Sequence, residues 1–179
     1  MSIEFDEAKH QYTVDGVPVP SVTQLVAPLG EDYDEPSDDR MELTLEAAAD
    51  RGATMHAYIA HRLSGGDPGD FELPDDYLPY AESVELFLGE HQITPYLIET
   101  ALPGPGYAGT PDLVCEFDGA ISILDYKFVS QVAKSKVGAQ LGGYRNLCQE
   151  NGVFTDKLYA VQFLPDRAYR LYPVDETQA

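Results

Sequence analysis

The spacing of apolar and polar positions changes character along the chain. In "HQYTVDGVPVPSVTQLV", Tyr12 and Val14 alternate with polar neighbours, Asp15-Gly16 supplies a two-residue turn, and Val17 and Val19 resume the alternation. That pattern predicts a β-hairpin. Residues 30–40, "GEDYDEPSDDR", have no apolar period and read as a polar acidic loop. From about residue 42 to residue 63 the period becomes helical, in a stretch free of proline and rich in Ala, Leu and Glu. "SGGDPGDFELPDD" breaks it. "LPYAESVELFLGEH" predicts a second helix with Tyr80, Val84, Phe87 and Leu88 on one face.

The second half is rich in strands. "ITPYLIETALP" reads as one extended segment and "GYAGTPDLVCEFD" as another. Asp118-Gly119 then turns the chain into "AISILDYKFV", so the last two segments predict a hairpin. Residues 134–150 predict a helix despite three glycines, and "KLYAVQFLP" and "AYRLYPV" predict two closing strands. This order gives the α/β class, a central mixed sheet flanked by helices. With 179 residues, no internal repeat and no low-complexity linker, one domain is expected over 1–179. Residues 1–40 hold the hairpin and acidic loop, and 41–179 the core.

Composition narrows the class. The start "MSIEFDEAKHQYTVDG" lacks the pattern of a secretory signal, and no apolar run approaches the roughly 20 residues of a membrane helix. A soluble cytosolic protein, with no membrane partner, is therefore expected; the resemblance given below makes that cytosol a bacterial one. Cys115 and Cys148 are too few for a disulfide framework or a four-cysteine metal or iron–sulfur site, and read as reduced core thiols. The formal charge of −20 predicts repulsion from nucleic acid. It is unevenly spread: residues 1–106 hold 4 Lys/Arg against 22 Asp/Glu, whereas 107–170 hold 7 of each. Lys127, Lys134, Lys136 and Arg145 are candidates for a local positive path, while the acids elsewhere solubilise the surface.

Charges inside "AISILDYKFV" need a reason, because burying them is costly. On a strand Asp125 and Lys127 share one face and Tyr126 takes the other. Asp112 begins the preceding strand, after Gly109-Thr110-Pro111, near the level of Asp125. Two carboxylates converging at a sheet edge suit Mg²⁺ or Mn²⁺, and a lysine beside them can orient a water or stabilise charge on a phosphate. Taken alone, two charges favour a structural Asp–Lys ion pair, with Asp112 capping a turn. His56 follows Gly52 by one helical turn; it is either an imidazole ligand or an ordinary helix residue, and Gly52 is expected to let the helix back closely onto the sheet. Gln140 and Tyr144 also share a helical face, as strand-binding groups or as a capping amide and a core tyrosine.

Gly52-x-x-x-His56, Gly109-Thr110-Pro111-Asp112, Asp125-Tyr126-Lys127 and Gln140-x-x-x-Tyr144, in that order, resemble the RecB-like branch of the PD-(D/E)xK nuclease superfamily. The likeness is greatest to small stand-alone phage and prophage exonucleases, and covers residues 51–145 in detail. It implies a restriction-endonuclease-like core and hydrolysis of DNA phosphodiesters with Mg²⁺ or Mn²⁺, in phage recombination, repair or processing. Exonuclease action is expected ahead of endonuclease action. His56, Asp112, Asp125 and the Tyr126 carbonyl would be metal ligands, with Glu99 accessory and Glu82 and Glu85 weaker candidates. Asp112, Asp125 and Lys127 would be catalytic, with Gln140, Tyr144, Lys134, Lys136 and Arg145 on the DNA. Relatives carrying an iron–sulfur cluster need four cysteines, so that branch does not apply. After Lys127 the family often continues with Thr-Gly or Thr-Ser, where this chain has "FVSQVAKSK"; Ser130, Lys134 and Lys136 are the replacements on the phosphates. With no helicase motor, processive action would need a homo-oligomer or a recombination partner. The rival reading is an acidic, DNA-mimicking interaction protein on a nuclease-derived fold, inhibiting a host defence or repair protein. Against it, none of His56, Asp112, Asp125 and Lys127 is missing.

Overall fold

In the computed structural model, residues 1–6, 8–29 and 39–175 are described. Most of the acidic loop expected at 30–40 lies outside them. The two Asp-Gly turns form as the sequence dictates. Asp15 and Gly16 take φ of 50° and 80°, and Asp118 and Gly119 take 48° and 85°. Positive φ at both central residues is the geometry that matches the twist of antiparallel strands. The first turn joins β2 (Gln11–Val14) to β3 (Val17–Val19). The predicted hairpin is one strand short: β1 (Ile3–Asp6) pairs with β2, Phe5 opposite Tyr12, making a three-stranded antiparallel sheet. A short helix α1 (Val22–Val26) follows, started by a capping box in which Ser21 and Gln24 satisfy each other's N–H groups.

Two longer helices precede the main sheet, α2 (Asp39–Leu63) and α3 (Leu78–Glu90). The sheet has the order β10-β9-β8-β7-β4. Its strands are β4 (Ile93–Ile98), β7 (Leu113–Phe117), β8 (Ala120–Lys127), β9 (Lys157–Leu164) and β10 (Ala168–Pro173). Only β8 and β9 pair in parallel, because α4 (Lys134–Glu150) crosses over between them. Along β8 the faces alternate. Leu124, Tyr126 and Phe128 pack with Met55, Tyr58, Val84 and Phe87 of α2 and α3, while Ile123 packs with Leu141, Tyr144 and Leu147 of α4. Both faces of the sheet are thus covered by helices. No helix among the described residues is long and apolar enough to cross a membrane.

The segments 93–103 and 106–118 are not the continuous strands expected. Glu99 takes a φ of 43°, ending β4, and the chain leaves the sheet to form a separate ribbon of β5 (Leu102–Gly104) and β6 (Tyr107–Gly109) before β7 begins. Glycine makes this detour possible. A Cβ on Gly109 would lie 2.9 Å from a ring carbon of Tyr144 and 3.0 Å from Val22, and one on Gly143 would lie 2.7 Å from Val22.

The expected role for Gly52 does not hold, since a Cβ there meets nothing within 4 Å. Opposite signs should follow in urea unfolding. Gly109→Ala should destabilise by about 1–3 kcal/mol through overpacking. Gly52→Ala, in a helix interior facing open space, should stabilise by up to about 1 kcal/mol.

Candidate metal centre

Register brings the charged groups to one end of the sheet. Ile98 pairs with Leu113, and Leu113 with Leu124. One residue further, the Glu99 N–H donates to the Asp112 carbonyl at 3.1 Å, and the same register carries Asp112 opposite Asp125. The Tyr126 N–H donates to Asp112 Oδ2 at 2.7 Å, which fixes that carboxylate against β8. Alternation along β8 buries the Tyr126 ring beneath α2 and α3 and turns Asp125 and Lys127 toward α4. Lys127 Nζ lies 2.6 Å from Asp125 Oδ2 and donates to Gln140 Oε1 at 3.3 Å. Gln140 Nε2 in turn donates to the Tyr144 hydroxyl at 3.1 Å.

His56 comes from the opposite face of the sheet, its ring set against Tyr126 and Phe128 with centroids 5.6 and 5.9 Å away. Its Nδ1 lies 3.1 Å from Glu99 Oε1 and 3.5 Å from Asp112 Oδ1. One ligand atom from each of His56, Glu99 and Asp112 lies within 4.8 Å of the others, a group able to hold a metal ion. Asp125 is not in that group. It is 1% exposed, and Oδ2 has the Lys127 ammonium as ion-pair partner but no well-aligned hydrogen-bond donor. A cleft of about 470 Å³ opens over His56 and Glu99, lined by Gly52, Ala53 and Ala57. Small side chains on that turn of α2 keep the space clear, which is where the Gly52 signal belongs.

The electrostatics are those of acids crowded together. Burial raises the Asp112 carboxyl, and the charges of Asp125 and Glu99 raise it further against the opposing pull of His56 and the Tyr126 amide. Burial alone would lower His56, yet Asp112, Glu99 and Asp125 outweigh it and hold the imidazole up to about 9. Burial likewise pulls Lys127 down, but Asp125, then Asp112, leaves it raised, so the amine stays charged.

The remaining candidates separate. Glu82 is paired to Arg167 at 2.6 Å, and Glu85 to Arg62 at 2.7 Å and to the Tyr58 hydroxyl at 2.6 Å, so neither joins the cluster. Salt bridging on the outer face of α3 satisfies these two acids. Lys134, Lys136 and Arg145 do not all share one helical phase along α4. Lys134 sits 5.5 Å over the Tyr172 ring, and Arg145, three helical turns on, shares its flank. Lys136 lies on the flank of Gln140. Ser130 is exposed, and its carbonyl accepts from Gln162. Both cysteines are buried and free. The sequence reading missed two supports: the Tyr12 hydroxyl, hydrogen-bonded to Thr110 Oγ1 at 2.7 Å, and Thr23, which draws the Tyr144 phenol down against the effect of its burial. The Ser21-x-x-Gln24 capping box was the readable sign of the helix that carries Thr23.

No protein-family model matches the sequence, and no curated protein matches it significantly. Among solved structures, the chain is similar to an alkaline exonuclease (LHK-Exo) from Laribacter hongkongensis, with 13% identity and a TM-score of 0.41 over 88% of this chain and 78% of that one. The complex of LHK-Exo with dAMP gives 10% identity and a TM-score of 0.42 over 89% and 80%. Likeness at this level does not assign an activity to the chain.

The sign of the His56 shift sets a pH window. A raised folded value means that its charge stabilises the metal-free protein fully below the unfolded value near 6.5, and that this contribution is lost as pH rises through about 9. An NMR titration in EDTA should give an imidazole midpoint near 9. A midpoint at or below 6.5 in EDTA would mean that burial outweighs the neighbouring acids.

Proposed function

We propose that this chain hydrolyses DNA phosphodiester bonds with a divalent cation, acting from DNA ends. The single observation that supports this most is the convergence of Asp112, Glu99 and His56 beside a buried Asp125–Lys127 pair at the end of one sheet. A structural ion pair would account for Asp125 and Lys127 alone. It leaves unexplained why two more acids and an imidazole are held against each other, with His56 and Glu99 lining an open cleft.

The donor set fits a hard cation. Carboxylate oxygens with one imidazole nitrogen suit Mg²⁺ or Mn²⁺. His56, Asp112, Asp125 and the Tyr126 carbonyl would hold the ion, with Glu99 as an additional ligand. Bound there, such a cation supplies Lewis-acid polarisation of a phosphoryl oxygen. Lys127, kept protonated by Asp125, orients the attacking water and offsets charge developing on the phosphate. The Gln140 amide and Tyr144 hydroxyl steady the strand, with Lys136 on the same flank; Lys134 and Arg145 reach DNA only from the other side of α4. Ends rather than internal sites, and a role in phage DNA recombination or repair with a homo-oligomer or partner, come from the family resemblance.

End-labelled linear and covalently closed circular DNA, incubated with Mg²⁺, Mn²⁺ or EDTA, test the reading. Linear DNA should be degraded with either metal and spared in EDTA, while circles stay intact; nicked circles would make the enzyme an endonuclease. Asp125→Asn and Lys127→Met should each slow cleavage by about 100-fold or more with an unchanged circular dichroism spectrum. If the wild-type protein cuts nothing under any metal, the nuclease reading falls and the acidic interaction protein takes its place.

A further inference from the structure

The three-stranded N-terminal sheet carries an aromatic surface that phosphodiester chemistry leaves unused. Phe5 pairs across strands with Tyr12, rings 4.5 Å apart and inclined at 34°, and the His10 ring lies 6.0 Å from Phe5. Tyr12 is buried, whereas Phe5 remains 41% exposed. These three rings, with Ser21, Thr23 and Gln24, line a groove of about 280 Å³.

The groove reaches the candidate metal centre by one hydrogen bond and one electrostatic contact. The Tyr12 hydroxyl bonds Thr110 Oγ1, two residues before Asp112. Thr23, on the rim of the groove, draws the Tyr144 phenol down, and that hydroxyl accepts from Gln140, whose Oε1 accepts from Lys127. We infer that the groove binds one unpaired nucleobase of the DNA strand, stacked on the Phe5 ring, while the phosphate of that strand lies at the metal centre. The occupant follows from three features together. Ring faces stack on any base regardless of sequence. A volume at the lower end of ligand pockets admits a single base and not a stacked pair of base pairs. A chain of net charge −20 cannot draw its hold on a polyanion from phosphate contacts alone, so stacking next to the site supplies what charge does not. Gln24, whose Oε1 accepts the Ser21 N–H at 2.8 Å, keeps its amide N–H groups as donors for the edge of the base.

This inference rests on the nuclease reading but is tested apart from it. A single-stranded oligonucleotide with 2-aminopurine at its terminal position, titrated with the full chain in Ca²⁺, should lose fluorescence as the base stacks. Phe5→Leu keeps apolar bulk and removes the ring face; it should weaken binding roughly tenfold and abolish the quenching. Phe5→Tyr should retain both. Quenching absent in wild type, or unchanged in Phe5→Leu, overturns the groove, and Mg²⁺-dependent cleavage of the same oligonucleotide would then leave the nuclease reading standing. Quenching that depends on Phe5 in a protein that cuts no DNA upholds the groove and removes the hydrolytic reading instead.

Discussion

The bond from the Tyr126 N–H to Asp112 Oδ2, 2.7 Å long and buried, ties the start of β7 to the end of β8. Without it, a carboxylate beside Glu99 and Asp125 would swing toward solvent, where repulsion between acids is screened. With it, Asp112 stays opposite Asp125 and within 3.5 Å of His56, and the whole cluster inherits its spacing from backbone register. The energy that holds like charges together here is that of the sheet, stabilised on both faces by apolar packing of α2, α3 and α4.

That arrangement divides labour between the two faces. His56 approaches across the aromatic side chains of the α2 face, and Lys127 answers from the α4 side, linked to Gln140 and Tyr144. The detour of the chain through β5 and β6 lets the N-terminal sheet lean on the same corner, with Ala108 bonded to Pro20 and Tyr12 to Thr110. Gly109 and Gly143 permit this close approach by having no side chain to place between α1, α4 and the ribbon.

Much of the architecture was legible because it depends on local rules. Both Asp-Gly turns, the helices near 42–63, 78–90 and 134–150, and the strands flanking residue 118 follow from period and turn chemistry. The breaks in 93–103 and 106–118 were not legible. The composition of each run suits a continuous strand, and only the pairing of β5 with β6, and the left-handed backbone at Glu99, divides them. β1 alternates as Ile3-Glu4-Phe5-Asp6, but four residues are too short a run to specify a strand until β2 pairs with it.

The candidate site divides along the same line. Residue spacing alone put Asp125 and Lys127 on one face, because strand alternation is a property of the backbone. Spacing also paired Gln140 with Tyr144, one helical turn apart. Whether Lys134, Lys136 and Arg145 join them is a matter of helical phase, which sets Lys136 on the Gln140 flank of α4 and the other two on another. Glu82 and Glu85 looked like spare acids until tertiary structure supplied Arg167 and Arg62 as partners. The meeting of His56, Glu99 and Asp112 joins residues far apart in the chain, and only the folded register decides it, since no local rule sets the distance between elements that touch solely through the core.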